Sequence, residues 1–255
     1  MTNQTNYTTA WLRLGYESGM ASAEFLPPPA KEFIRAYYFT SSQHAISAIS
    51  LGRLKIARFA DANDPFELLA LNCHDPQTRK RAVKLREEYN NKSGLLCLTK
   101  NWSSPLIWSH YADRHKGMCL GFNVRRAMVR PVEYEDERLR QQLPEDPDPT
   151  AVPPDLRERL AVTKSHHWKY EEELRVFVEL ARAVRELNLF FQPFGKDLRL
   201  VEVILGPRCE HALPIVKNLA ARVAPDAVVF KARLAFRSFE VRLDGRTRPN
   251  VPKET

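Results

Sequence analysis

The chain has 255 residues, with 39 Lys+Arg against 31 Asp+Glu for a formal charge of +8, and 44% of its residues are hydrophobic. That balance excludes a disordered polymer, and the length is enough to bury a core. No run of about 18 apolar residues occurs and no charged start leads into an apolar block, so neither a membrane span nor a secretory signal is expected, and the expected location is the cytoplasm.

From residue 1 to 30 the chain reads as an arm, docked or loose, in which Trp11, Leu12 and Leu14 are the groups able to dock. The globular signal begins near Glu32. Tyr37–Thr40 is aromatic and β-prone, a first strand. Ser41 and Ser42 offer an N-cap to a helix carrying Ala45, Ile46, Ala48, Ile49 and Leu51, which Gly52 ends. Leu54–Ala57 reads as a strand, Asp61–Phe66 as a loop built on Asn-Asp-Pro turn chemistry, and Thr78–Asn91 as a charged helix. Leu95–Thr99 is a strand. Ser104 and Pro105 open a helix that runs to Gly117, followed by strands at Met118–Phe122 and Val132–Tyr134. Prolines mixed with acids over 143–154 mark an insertion rather than a boundary. Asp155–Ser165 reads as a helix, Leu174–Leu180 as a strand and Leu187–Phe191 as its partner. Leu200–Leu205, ended by Gly206-Pro207, is a strand and His211–Val223 a helix; Ala227–Lys231 and Phe239–Leu243 close the sheet. The sum is an α+β fold: a single domain over 31–245 with a largely antiparallel sheet, split or continuous, flanking helices, and a tail over 246–255.

Glycine numbers only 9 and forms neither G-x-G-x-x-G nor a phosphate loop, which argues against a Rossmann fold and a P-loop NTPase. The four cysteines are too dispersed for a zinc knuckle, so no structural metal is expected; Cys97 and Cys119 lie in apolar runs and read as buried reduced thiols. The positive charge permits a nucleotide or nucleic-acid partner without demanding one.

Three constellations carry chemistry. Asn63-Asp64-Pro65-Phe66-Glu67 presents polar side chains in a fixed turn, or simply caps that turn. Trp108, Tyr111, Ala112 and His115 stand at i, i+3, i+4 and i+7, an aromatic helix face that is either a stacking platform or core. Lys164 through Arg175 is the third. If the chain is extended from Glu171, then Glu171, Glu173 and Arg175 share one strand face. That face is a solvated edge, a general-base or cation-stabilising site, or a metal site completed by Asp64 or Glu67. No G-x-S-x-G and no H-E-x-x-H occurs.

These blocks, with Tyr38-Phe39-Thr40, Leu54-Lys55-Ile56, Cys97-Leu98-Thr99, Ile107–Ala112, Trp168–Arg175 and Val203–Gly206 in the same order, resemble the domain-of-unknown-function 2971 family of mostly bacterial proteins. The likeness spans about residues 35–243 and by itself implies a fold unit rather than an activity. The opening strand, helix and Gly-x-Leu strand, with a late Glu-x-Glu strand, also resemble ADP-ribosyltransferase-like domains; Tyr38 stands where many of those enzymes have a histidine. That resemblance implies cleavage of the nicotinamide–ribose bond of NAD and transfer to an acceptor. It assigns Glu173 as the carboxylate under the ribose, with Glu171 and Tyr38 beside it. Thr40, Asn63, Asp64, Trp108, Tyr111, Lys164 and Arg175 are the implied binding residues. Two other classes stay open: a Mg-dependent nuclease using Asp64, Glu67, Glu171 and Glu173, and a non-catalytic nucleotide- or nucleic-acid-binding module. The expected partners are a nucleotide and a nucleic-acid or protein acceptor, with no membrane.

Overall fold

The computed structural model of the chain describes residues 26–141, 143 and 151–247. The arm's Trp11, Leu12 and Leu14, most of the proline-rich insertion and the end of the tail lie outside the described residues. In chain order the elements are β1 (Phe33–Thr40), α1 (Ser42–Leu51), β2 (Arg53–Lys55), α2 (Pro76–Lys92), β3 (Ser93–Thr99), α3 (Pro105–Tyr111), β4 (Met118–Arg125), β5 (Val129–Pro131), β6 (Glu133–Glu135), α4 (Pro154–Val162), β7 (Thr163–Ser165), β8 (Glu173–Glu179), β9 (Val184–Glu186), β10 (Leu189–Pro193), β11 (Leu198–Leu205), α5 (Leu213–Ala221), β12 (Val228–Leu234) and β13 (Val241–Leu243). The fold is α+β, with mostly antiparallel strand pairs. No helix among the described residues is long and apolar enough to cross a membrane.

Local chemistry sets the element ends. The Ser41 hydroxyl accepts from the His44 N–H at 3.3 Å, which caps α1, and Gly52 ends that helix at φ 61, where a side chain would clash. Asp75 accepts from the Thr78 N–H at 2.8 Å and Pro76 supplies the first turn of α2.

Contacts cluster into two compact units that interleave in sequence: 1–51, 101–124 and 196–255 form the first, 52–100 and 125–195 the second. In the first unit the strands run β13-β12-β11-β4-β1. β11 pairs antiparallel with β4 and parallel with β12, so α5 is the crossover that a parallel neighbour requires. Ile49, Trp108, Phe122, Ile204, Val216 and Phe230 are buried within this unit. In the second unit β8 lies between β3 and β5, both antiparallel, while β10 pairs with β2 and β9. Its core gathers Phe59, Leu71, Leu85, Tyr89, Leu95 and Leu160.

Two expectations need correction. The segment 187–191 is not the partner of 174–180: β3 and β5 occupy both edges of β8, and β10 turns to β2 and β9. The helix opened by Pro105 stops at Tyr111, not at Gly117. Asp113, Arg114 and His115 follow at φ 44, 53 and 71, so His115 leaves the helix face that Trp108 begins. Gly117 makes this tight exit feasible, because a Cβ there would lie 2.2 Å from the Thr40 carbonyl oxygen.

Candidate functional site

The densest chemistry lies in the second unit, where Asp64, Glu67, Lys164, Glu171, Glu173 and Arg175 are all buried. β8 begins at Glu173, because Glu172 adopts a left-handed conformation at φ 44, ψ 44. Glu171 therefore ends a short helical turn rather than extending the strand, which corrects the shared strand face expected for it. Glu173 and Arg175, two apart on β8, do share a face. Their register partners on β3 are Thr99 and Cys97.

Arg175 organises the cluster. Its Nη1 and Nη2 donate to the two oxygens of Glu67 at 2.7 and 2.8 Å, its Nε donates to Glu173 Oε1 at 2.9 Å, and Nη1 also reaches the Ala161 carbonyl at 2.6 Å. Lys164 Nζ donates to Glu171 Oε2 at 2.6 Å and to Glu173 Oε2 at 3.2 Å. The Glu173 backbone N–H donates to the Tyr134 hydroxyl at 2.8 Å. Burial opposes ionisation of Glu173, but the Arg175 and Lys164 cations outweigh it and hold the carboxyl below its ordinary range. Burial likewise opposes the charge on Lys164, and Glu173 and Glu171 outweigh it, holding the ammonium above its ordinary range. The Tyr134 phenol is pushed up to about 12, chiefly by burial.

The backbone is strained on both sides of the cluster. Leu68, next to Glu67, has φ 58, and Glu172 separates the two other carboxylates. Each left-handed non-glycine residue costs on the order of 1 kcal/mol, and such residues persist where the surroundings dictate them. Along one edge the half-buried Trp168 ring lies 4.7 Å from Lys164 Nζ, and the Tyr170 ring lies 6.2 Å from that of Trp168.

Asn63 is exposed, and Asp64 caps its own turn: Oδ1 accepts from the Phe66 N–H at 2.9 Å. Glu67, the last residue of that block, is the one that reaches the cluster. Tyr38, Thr40, Trp108 and Tyr111 belong to the first unit. Tyr38 and Tyr111 are half-buried and Thr40 is buried. The stacking role expected of Trp108 is corrected. Its ring is 0% exposed, meets Phe39 edge-on at 5.0 Å, and its Nε1–H donates to the Trp102 carbonyl at 2.6 Å. It is a core residue with no face to offer.

Of the four carboxylates of the magnesium reading, Glu67, Glu171 and Glu173 are bonded to Arg175 or Lys164 and Asp64 caps its own turn, so a divalent ion would compete with both cations. Among the described residues no group of three or more His, Cys, Asp or Glu side chains is placed to hold a metal ion. Cys119 is a buried thiol, as expected, but Cys97 is exposed.

A smaller polar cluster went unpredicted. In the first unit Arg35 Nε donates to Asn123 Oδ1 at 2.7 Å and its Nη1 lies 3.4 Å from Oε2 of the fully buried Glu202. Gly121 leaves room for that carboxylate, since a Cβ there would lie 2.7 Å from Glu202 Oε2. Its signal was a lone acid inside the apolar run Leu200–Leu205.

Compared with protein-family models, curated proteins and solved structures, the chain matches none.

Proposed function

We propose that the second unit carries the reactive centre of an NAD-cleaving, ADP-ribosyltransferase-like enzyme, with Glu173 as its key carboxylate. The observation that supports this most is a carboxylate kept ionised in the interior by Arg175 and Lys164. Breaking the nicotinamide–ribose bond builds positive charge on the ribose. A fixed negative group in a low-dielectric site stabilises that charge without reorganising at the moment of reaction. Arg175 anchors Glu173 against Glu67, and Lys164 ties it to Glu171, so neither oxygen swings free. The stacking face moves from Trp108 to Trp168, which is half-buried and lies beside Lys164. The resemblance to transferase catalytic strands supports the assignment for Glu173, the one glutamate of the Glu-x-Glu block that lies on β8.

The test is nicotinamide release from NAD by wild type, Glu173→Gln and Glu171→Gln, with cell extract and nucleic acid as acceptors. Release by wild type that drops at least a hundredfold in Glu173→Gln is the expected outcome, since removing one electrostatic stabiliser costs about 10²–10³ in rate. No release by folded wild type, or equal release by Glu173→Gln, would overturn the reading.

A further inference from the structure

We propose that the β12–β13 hairpin is a docking point for single-stranded nucleic acid. The strands pair antiparallel up to Leu234 opposite Val241, and the Ala235 N–H donates to the Glu240 carbonyl at 2.9 Å to close the turn. At the tip, Phe236 is 89% exposed and Phe239 is 99% exposed. Rings that open to water add almost nothing to the core, and two on one turn form a patch that serves a contact.

The charges around the rings select the partner. The Arg233 guanidinium carbon lies 4.4 Å from the centroid of the Phe236 ring. The one acid of the turn, Glu240, is held by the Ser238 hydroxyl at 2.9 Å and by Arg242. Arg237, exposed between the two phenylalanines, has no acidic partner among the described residues. Flat aromatic faces set among guanidinium groups suit stacked bases and their phosphates, because every base has a π-face and every linkage a negative charge. The +8 charge of the chain favours the same polyanion. A purely apolar protein partner would gain nothing from desolvating Arg237.

The proposal is independent of the NAD reading and is tested on the full chain. A fluorescein-labelled oligothymidylate about 15 nucleotides long is titrated at several salt concentrations and followed by anisotropy, against wild type, Phe236→Ala, Phe239→Ala and Arg237→Ala. Each phenylalanine variant, folded by circular dichroism, should bind about tenfold or more weakly. Arg237→Ala should lower the slope of log affinity against log salt by about 0.7, the signature of one lost phosphate contact. Three results would overturn the proposal. One is no oligonucleotide binding by wild type, or binding that the phenylalanine variants leave unchanged. Another is binding to phosphatidylserine-containing vesicles, lost in those variants, without oligonucleotide binding, which would make the hairpin a membrane contact. The third is a self-association that Phe239→Ala abolishes while oligonucleotide affinity stays, which would make it an interface between copies.

Discussion

Removing the guanidinium of Arg175 would strand two buried carboxylates, Glu67 and Glu173. Breaking such a network by one partner costs about 3–5 kcal/mol, because the remaining charges keep their desolvation cost and lose their attraction. Arg175→Met should lower the unfolding free energy in urea by that amount; a loss below about 1 kcal/mol would mean the network is solvated and of little energetic weight. The same titrations across pH report the signs. Glu173 has its carboxyl lowered on folding, so its stabilisation is present above its unfolded value of about 4.3 and is lost as pH falls through the folded value. Lys164 is raised on folding, so its share is present below about 10.4 and is lost as pH rises beyond that toward the folded value. Stability should therefore be flat between roughly pH 5 and 10 as far as these two groups are concerned, and Glu173→Gln should flatten the acid limb and also weaken the alkaline one, because Glu173 is the foremost charge raising Lys164. Much of this cluster was legible. Period-two spacing put Glu173 and Arg175 on one face, and two carboxylates with a guanidinium looked out of place on a bland surface. What spacing could not supply was the counterpart, since Glu67 stands 108 positions from Arg175. Nor could it foresee that Glu172 would turn left-handed and take Glu171 off the strand.

Among the elements, α1 was readable because Ser41 and Gly52 bracket it, whereas α2 was read from Thr78 although Asp75 caps it and Pro76 opens it two residues earlier. The end of α3 was not readable, because its stop depends on an approach from elsewhere in the first unit. Nothing in Tyr111–Lys116 breaks a helix. The chain leaves it because Gly117 must lie against the Thr40 carbonyl, and only a residue without Cβ fits there. Gly206 does the same beside the His115 carbonyl oxygen, 2.3 Å from where its Cβ would stand. Two alanine substitutions separate this steric cause from glycine's general entropic cost. Gly117→Ala forces a methyl against backbone that cannot rotate away, and should destabilise by about 1–3 kcal/mol or more. At Gly195 a Cβ would meet nothing within 4 Å, so Gly195→Ala should be neutral or stabilise by up to about 1 kcal/mol, through loss of unfolded-state freedom. Thermal melts of the two proteins check the contrast, and equal melting temperatures would remove Gly117 as the reason for the early stop.

At the scale of the molecule, the sequence reads as one continuous α+β stretch over 31–245, and the class is right. The grouping of segments was not legible, because the chain passes between the two units after residues 51, 100, 124 and 195 without a linker or a shift in composition. Hydrophobic periodicity reports burial but not which segments bury one another. The interleaving has a consequence for truncation. A chain ended at Gly195 keeps every residue of the second unit, including its whole apolar core. It loses β11, the registered partner of β4 in the first unit, and Phe230, whose ring lies 5.7 Å from that of Trp102. It also loses the Val241 N–H, which donates to the Ser103 carbonyl at 2.8 Å. Trp102 and Trp108, 1% and 0% exposed in the full chain, should then be wetted. In a background where Trp11 and Trp168 are phenylalanine, emission from the truncated chain should shift to the red. Residues 196–255 supplied in trans should return it toward the blue by re-forming the β4–β11 ladder. Unshifted emission after truncation would mean that the first unit's remaining segments bury these two indoles without β11, and the ladder would lose its place as the support of that core.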